Sequence, residues 1–135
     1  MKNIFFILFA LLCLTACQKE SGEGGTSVIE GNIIYLTTSY NVQTSTLDTH
    51  YYPKAGKDVF IIYSNDEGAI YDDKFETDWN GRYRFEFLRK GDYTVFTHVD
   101  SIVVNDVTYD HPIFQHIRIT SNNSTNQLED FIINK

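Results

Sequence analysis

The strongest constraint on the fold lies between Thr77 and Val95, where side-chain character alternates residue by residue and is punctuated twice by turn chemistry. Asp78-Trp79-Asn80-Gly81 sets an Asp, whose carboxylate can cap backbone N–H groups two residues on, three places before a Gly that tolerates positive φ. After that turn, Tyr83, Phe85 and Phe87 fall on one parity and Arg82, Arg84 and Glu86 on the other. A period of two with apolar and charged sides is the pattern of a half-buried antiparallel strand. Arg89-Lys90-Gly91 supplies a second turn, and Tyr93, Val95, Thr97 and Val99 resume the alternation on a returning strand.

The same logic assigns the rest of the chain. Val28–Thr38 reads as a strand, and Ser39–Gly56 as a long polar connection. Asp58–Tyr63 is apolar on both parities, which suits a strand covered on both faces. Ser64–Gly68 is a turn, and Ala69–Thr77 returns as a strand. Asn105–Pro112 is a loop before the alternating Ile113–Thr120, Ser121–Gln127 is a polar turn, and Leu128–Asn134 closes the chain as a strand. Seven strands with no amphipathic helical pattern give an all-β fold, a single antiparallel β-sandwich over residues 28–135.

The first residues belong to a different category. Met1-Lys2-Asn3 is a short basic start, and the apolar run Ile4–Leu14 has eleven residues, against about 20 for a membrane-spanning helix. This predicts a secretory signal peptide over residues 1–16, a membrane-spanning anchor being the alternative. Leu14-Thr15-Ala16-Cys17 resembles the lipobox of bacterial lipoproteins. The resemblance implies acylation of Cys17, anchoring of the mature chain to a membrane by its lipids, and, with Gln18 after the Cys, delivery to the outer membrane. Whether the periplasmic face or the cell surface is the destination stays open. Residues 17–27, with three glycines and no large apolar side chain, are expected to be a flexible tether.

Loss of residues 1–16 would remove Cys13 and Lys2, leaving Cys17 as the one cysteine and a formal charge of −8. A disulfide framework and a cysteine-based metal site are thereby excluded. The acidic balance argues against nucleic acid as a partner, because phosphate binding needs a basic footprint.

Thr77-Asp78, Asn80-Gly81, Tyr83, Phe85, Leu88, Gly91, Tyr93 and Val95 share the spacing of a known group, as do Ile29-Glu30-Gly31 and Ala55–Ile61. The chain resembles the prealbumin-like (transthyretin-like) sandwich domains found as carboxypeptidase regulatory-like and Cna protein B-type repeats. That resemblance implies a stalk, linker or binding module. It does not extend to the intramolecular isopeptide bond of some B-type domains, since the first strand has no Lys.

His50, His98, His111 and His116 lack metal-ligand spacing, so no metal site and no cofactor is expected. Asp66-Glu67 and Asp72-Asp73 read as solvated turn carboxylates rather than a Ca²⁺ loop. No nucleophile elbow, metalloprotease helix or phosphate loop occurs, so the expected function is not enzymatic. Seventeen aromatics remain once Phe5, Phe6 and Phe9 are set aside, and Tyr40, Tyr51, Tyr52, Trp79 and Tyr109 all fall in predicted loops or turns. Aromatic faces there would anchor a protein partner or stack on sugar rings. Asp100-Ser101-Ile102 resembles a short O-glycosylation acceptor, with Ser101 as the candidate. The expected function is that of a membrane-anchored envelope lipoprotein, an accessory or adhesion module acting on an envelope protein partner. A carbohydrate-binding module using the loop aromatics is the alternative.

Overall fold

The computed structural model describes residues 20–105 and 107–134. Cys17 and the predicted signal peptide therefore lie outside the described residues. Nine strands are present among them: β1 (Glu23–Asn41), β2 (Thr46–Pro53), β3 (Asp58–Ile62), β4 (Asp73–Glu76), β5 (Arg82–Leu88), β6 (Gly91–Val104), β7 (Val107–Ile119), β8 (Thr125–Gln127) and β9 (Phe131–Asn134).

They form two sheets. In the first, β1 is central: its outer half pairs antiparallel with β2, its inner half antiparallel with β5, and β8 and β9 run along its other side. The second has the order β4-β3-β6-β7 and is antiparallel throughout. Ile29, Ile33, Tyr83 and Phe131 of the first sheet share one buried cluster with Val59, Ile61, Tyr93 and Val95 of the second. This common core is what the alternating residues were expected to build.

Three expectations need correction. The strand count is nine rather than seven, because two segments expected as loop or turn hold strands: in Ser39–Gly56, β1 runs on to Asn41 and returns through β2, and Ser121–Gln127 holds the three-residue β8, which pairs with β1. Asn105–Pro112 likewise belongs mostly to a long β6–β7 hairpin. β2 is polar because both of its sides meet water, and polarity alone reads as a loop. Second, the sheets are not purely antiparallel. β7 ends beside Gly91, the chain crosses to the other sheet there, and β8 and β9 then run parallel to β1. Third, Glu23–Ser27 is the start of β1 rather than tether. Ser27 is buried and its Oγ donates to Ser121 O at 2.9 Å, while Val28 N donates to Ser124 O at 2.8 Å.

The hairpin of Thr77–Val95 forms with one deviation. Asp78 Oδ1 accepts from Asn80 N at 2.8 Å and Arg82 N at 2.9 Å, as its turn chemistry requires. Tyr83 and Phe85 are buried, but Phe87 has φ 58° and stands exposed, leaving Leu88 to enter the core. The register against β1 shifts at this point, the mark of a β-bulge that adds one residue and flips parity.

Candidate binding surface

Strand direction gives the molecule two unlike ends. β1 starts beside β5's last residue, Leu88, and Gly91 opens β6 against Ser21. This is the proximal end, where the chain enters the fold. β1 and β6 both run away from it, so the turns of the β1–β2 and β6–β7 hairpins lie at the opposite, distal end.

Gly81 makes the distal geometry workable. Ile33 donates its N–H to Gly81 O at 2.8 Å and accepts from Lys54 N at 2.9 Å, so β5 and β2 abut on the same side of β1. Gly81 has φ 70°, and a Cβ there would sit 2.5 Å from Ile33 O and 3.0 Å from Lys54 N. Only glycine fits this joint.

The five aromatics singled out from sequence all map to the distal half, though not to loops. Tyr40 lies in β1, Tyr51 and Tyr52 in β2, Tyr109 in β7 opposite Ile102, and Trp79 in the β4–β5 turn. Trp79 is 92% exposed, Tyr51 62% and Tyr40 60%. Tyr52 differs: it is opposite Tyr35, whose ring it meets edge-on at 5.8 Å, and it extends the core outward. Lys54 Nζ lies 5.0 Å from the Tyr35 ring centroid on the same hairpin. On the other face of the first sheet, Ile132 is level with Ile34, Tyr51 with Leu36, and Leu47 with Tyr40. These pairs draw an apolar stripe up the hairpin, with Leu47 and Tyr40 both exposed.

A second aromatic surface was not anticipated. On the outer face of β3, β6 and β7, Phe60 stacks on Phe96 at 5.0 Å, Phe96 meets Phe114 at 5.2 Å, and His98 stands edge-on to Phe60 at 5.5 Å. Tyr71 leans on Phe60 at 4.8 Å. The signal was in the sequence: Asp58–Tyr63 is apolar on both parities, and Phe96 and Phe114 occupy the parity opposite the core residues. Stacked across strands, these rings use their faces on one another, and Phe96 is only 9% exposed. The array therefore acts chiefly as an outer packing layer. At its distal margin a shallow depression is lined by Lys57, Asp58, Phe60, His98, Val99 and Asp110.

His116 and several of the turn carboxylates have local partners. His116 Nδ1 is 2.9 Å from Thr94 Oγ1 and its Nε2 2.9 Å from Glu67 Oε1, pinning the β3–β4 loop to the sheet. Asp66 caps Gly68 N at 3.0 Å, and Asp72 accepts from Tyr63 N at 2.7 Å. Among the described residues, no three His, Cys, Asp or Glu side chains are grouped so as to hold a metal ion. Asp58 pairs with Lys74 at 3.2 Å, and Arg118 grips Asp92 with two bonds of 2.6 Å, holding that carboxyl below its ordinary range.

No protein-family model matches the chain, and no curated protein matches it. Among solved structures it is similar to a Pseudomonas aeruginosa protein described as a "putative carbohydrate binding protein", at 12% identity over 85% of this chain and 92% of that one, with a TM-score of 0.46. A likeness of that level bears on neither fold family nor ligand.

Proposed function

We propose that the chain is a lipid-anchored, non-catalytic binding module of the cell envelope, attached through Cys17 to the outer membrane and acting through protein contacts made by its distal end. Its core is read as a prealbumin-like sandwich with two extended hairpins. The observation that carries the reading is the molecule's polarity. The chain enters at one end, three residues after the lipobox Cys, and the exposed Tyr40, Leu47 and Tyr51 lie on the hairpin that reaches the other. An anchored module needs its contact surface away from the membrane, and exposed aromatics are the side chains that anchor protein interfaces.

The test is site-specific photo-cross-linking in intact cells. A photoreactive side chain at Tyr51 should give one discrete adduct, and the same group at exposed Asn122, on the proximal side, should give none. Equal adducts at both positions, or none at either, would sink the reading. Carbohydrate binding is the second reading, favoured by Trp79, whose ring is almost wholly free and so is available to stack on a sugar. A glycan array probed with the wild-type chain and Trp79→Ala separates the two: glycan retention lost in the variant would replace protein contact with sugar recognition.

A further inference from the structure

We infer that the β1–β2 hairpin joins a second copy of this chain, β2 pairing antiparallel with its own mate about a two-fold axis at Thr49. This rests on the reading of that hairpin as a contact surface and names its partner.

The first argument is the edge itself. Among the described residues β2 pairs only with β1, so one row of its backbone N–H and C=O groups faces outward. An exposed strand edge is a template for another strand unless something blunts it. The other strands that end a sheet are blunted. β4, β8 and β9 have four, three and four residues. β5 carries Arg82, Arg84 and Glu86 and the bulge at Phe87. β7 has Pro112 within it, which cannot donate to a ladder. β2 has eight residues, no register shift against β1, and Pro53 only as its last residue.

The second argument is self-complementarity. A two-fold through Thr49 sets Thr49 opposite Thr49 of the mate, a favourable cross-strand pair. Asp48 then faces His50 of the mate and His50 faces Asp48, both on the Tyr52 side of the ribbon, where the β1 register puts them. On the other side Leu47 meets Tyr51 twice, covering two side chains that are 69% and 62% exposed. No two acidic groups come level, although the chain as a whole carries −7. Each copy supplies the same patch, so the contact closes at two and does not propagate.

The full-length chain, extracted in detergent from the membranes that hold it, should sediment as a concentration-dependent dimer. His50→Asp opposes two carboxylates at each of the two symmetry-related pairs and should raise the dissociation constant about a hundredfold, about tenfold for each pair lost. The swap Asp48→His/His50→Asp should restore it. In a parallel test, Thr49→Cys should cross-link to itself with a short bis-maleimide, well beyond wild type and Asn122→Cys. A monomer at all concentrations, no excess cross-linking at Thr49→Cys, or a swap that fails to restore association overturns the pairing. A foreign-protein adduct at Tyr51 without self-cross-linking would end this inference and leave the binding-module reading standing. Neither adduct would end both.

Discussion

Two buried tyrosines show how differently one side chain type can be used. Tyr83 is 1% exposed, its ring lies over Gly31 where a Cβ would overlap the hydroxyl, and that hydroxyl has no hydrogen-bond partner among the described residues. Tyr93 Oη accepts from Gly22 N at 2.9 Å and donates to Arg89 O at 2.8 Å, with Gly22 O at 3.2 Å. Losing an unpaired buried hydroxyl costs nothing, whereas losing a paired one strands its partners at about 1–3 kcal/mol. Tyr83→Phe should therefore leave the melting temperature unchanged or raise it, and Tyr93→Phe should lower it by several degrees. A destabilised Tyr83→Phe would mean the hydroxyl has a partner after all. Burial raises the pKa of both phenols, and for Tyr83 the nearby Asp130 adds to it. In the folded state they keep protons that unfolded tyrosines release near pH 10. Their contribution to stability is thus complete below pH 10 and is lost as pH rises above it. In an alkaline titration their phenolate absorbance should appear only together with loss of the folded near-ultraviolet signal.

At the scale of strands, the joints decide more than the runs between them. Gly81→Ala puts a methyl between Ile33 O and Lys54 N at positive φ, so β5 and β2 can no longer both meet β1. The expected loss is about 2–4 kcal/mol, read by chemical denaturation. Phe87, at φ 58° with its ring in solvent, holds a conformation that Asn tolerates and a β-branched residue does not. Phe87→Asn should be neutral or stabilising, and Phe87→Val should cost about 1–2 kcal/mol; the reverse order would show that the bulge is not strained. These joints also mark where sequence reading stops. Tyr83, Phe85, Tyr93 and Val95 were legible as core because alternation encodes burial directly. The flip at Phe87 was not, since a bulge is set by pairing with β1, sixty residues away in sequence. The β1–β2 hairpin was hidden for another reason. Thr-rich, polar residues on a ribbon wetted on both sides carry no alternation to detect, so Tyr40, Tyr51 and Tyr52, expected in a loop, stand in strands.

For the whole molecule, the decisive question is where tether ends and domain begins. Composition places the boundary at Ser27, because glycine and serine dominate there. Packing places it earlier. Gly22 is buried with its N–H on Tyr93 Oη, and Arg89 N donates to Gly22 O at 2.9 Å. The Tyr63 ring lies beside Gly22 and meets Tyr93 edge-on at 5.8 Å. Ser27, Thr26 and Val28 bind the Ser121–Ser124 turn through which the chain crosses between sheets. The glycines are thus demanded by close approach rather than by flexibility: a Cβ on Gly25 would overlap the Leu88 carbonyl. A chain starting at Glu20 should melt with the full-length protein. One starting at Val28 loses the lid over Tyr93 and Leu88 and half the clasp on the crossover turn. Several buried hydrogen bonds at about 1 kcal/mol each, plus uncovered apolar surface, amount to roughly 3–5 kcal/mol. For a domain of about 110 residues that is a fall in melting temperature of about 12–30 °C. Equal melting of the two fragments would return residues 23–27 to the tether. A large difference would mean that any lipid attached at Cys17 holds the proximal end within a few residues of the membrane, so that the long hairpins, rather than a flexible leash, provide the reach of this protein.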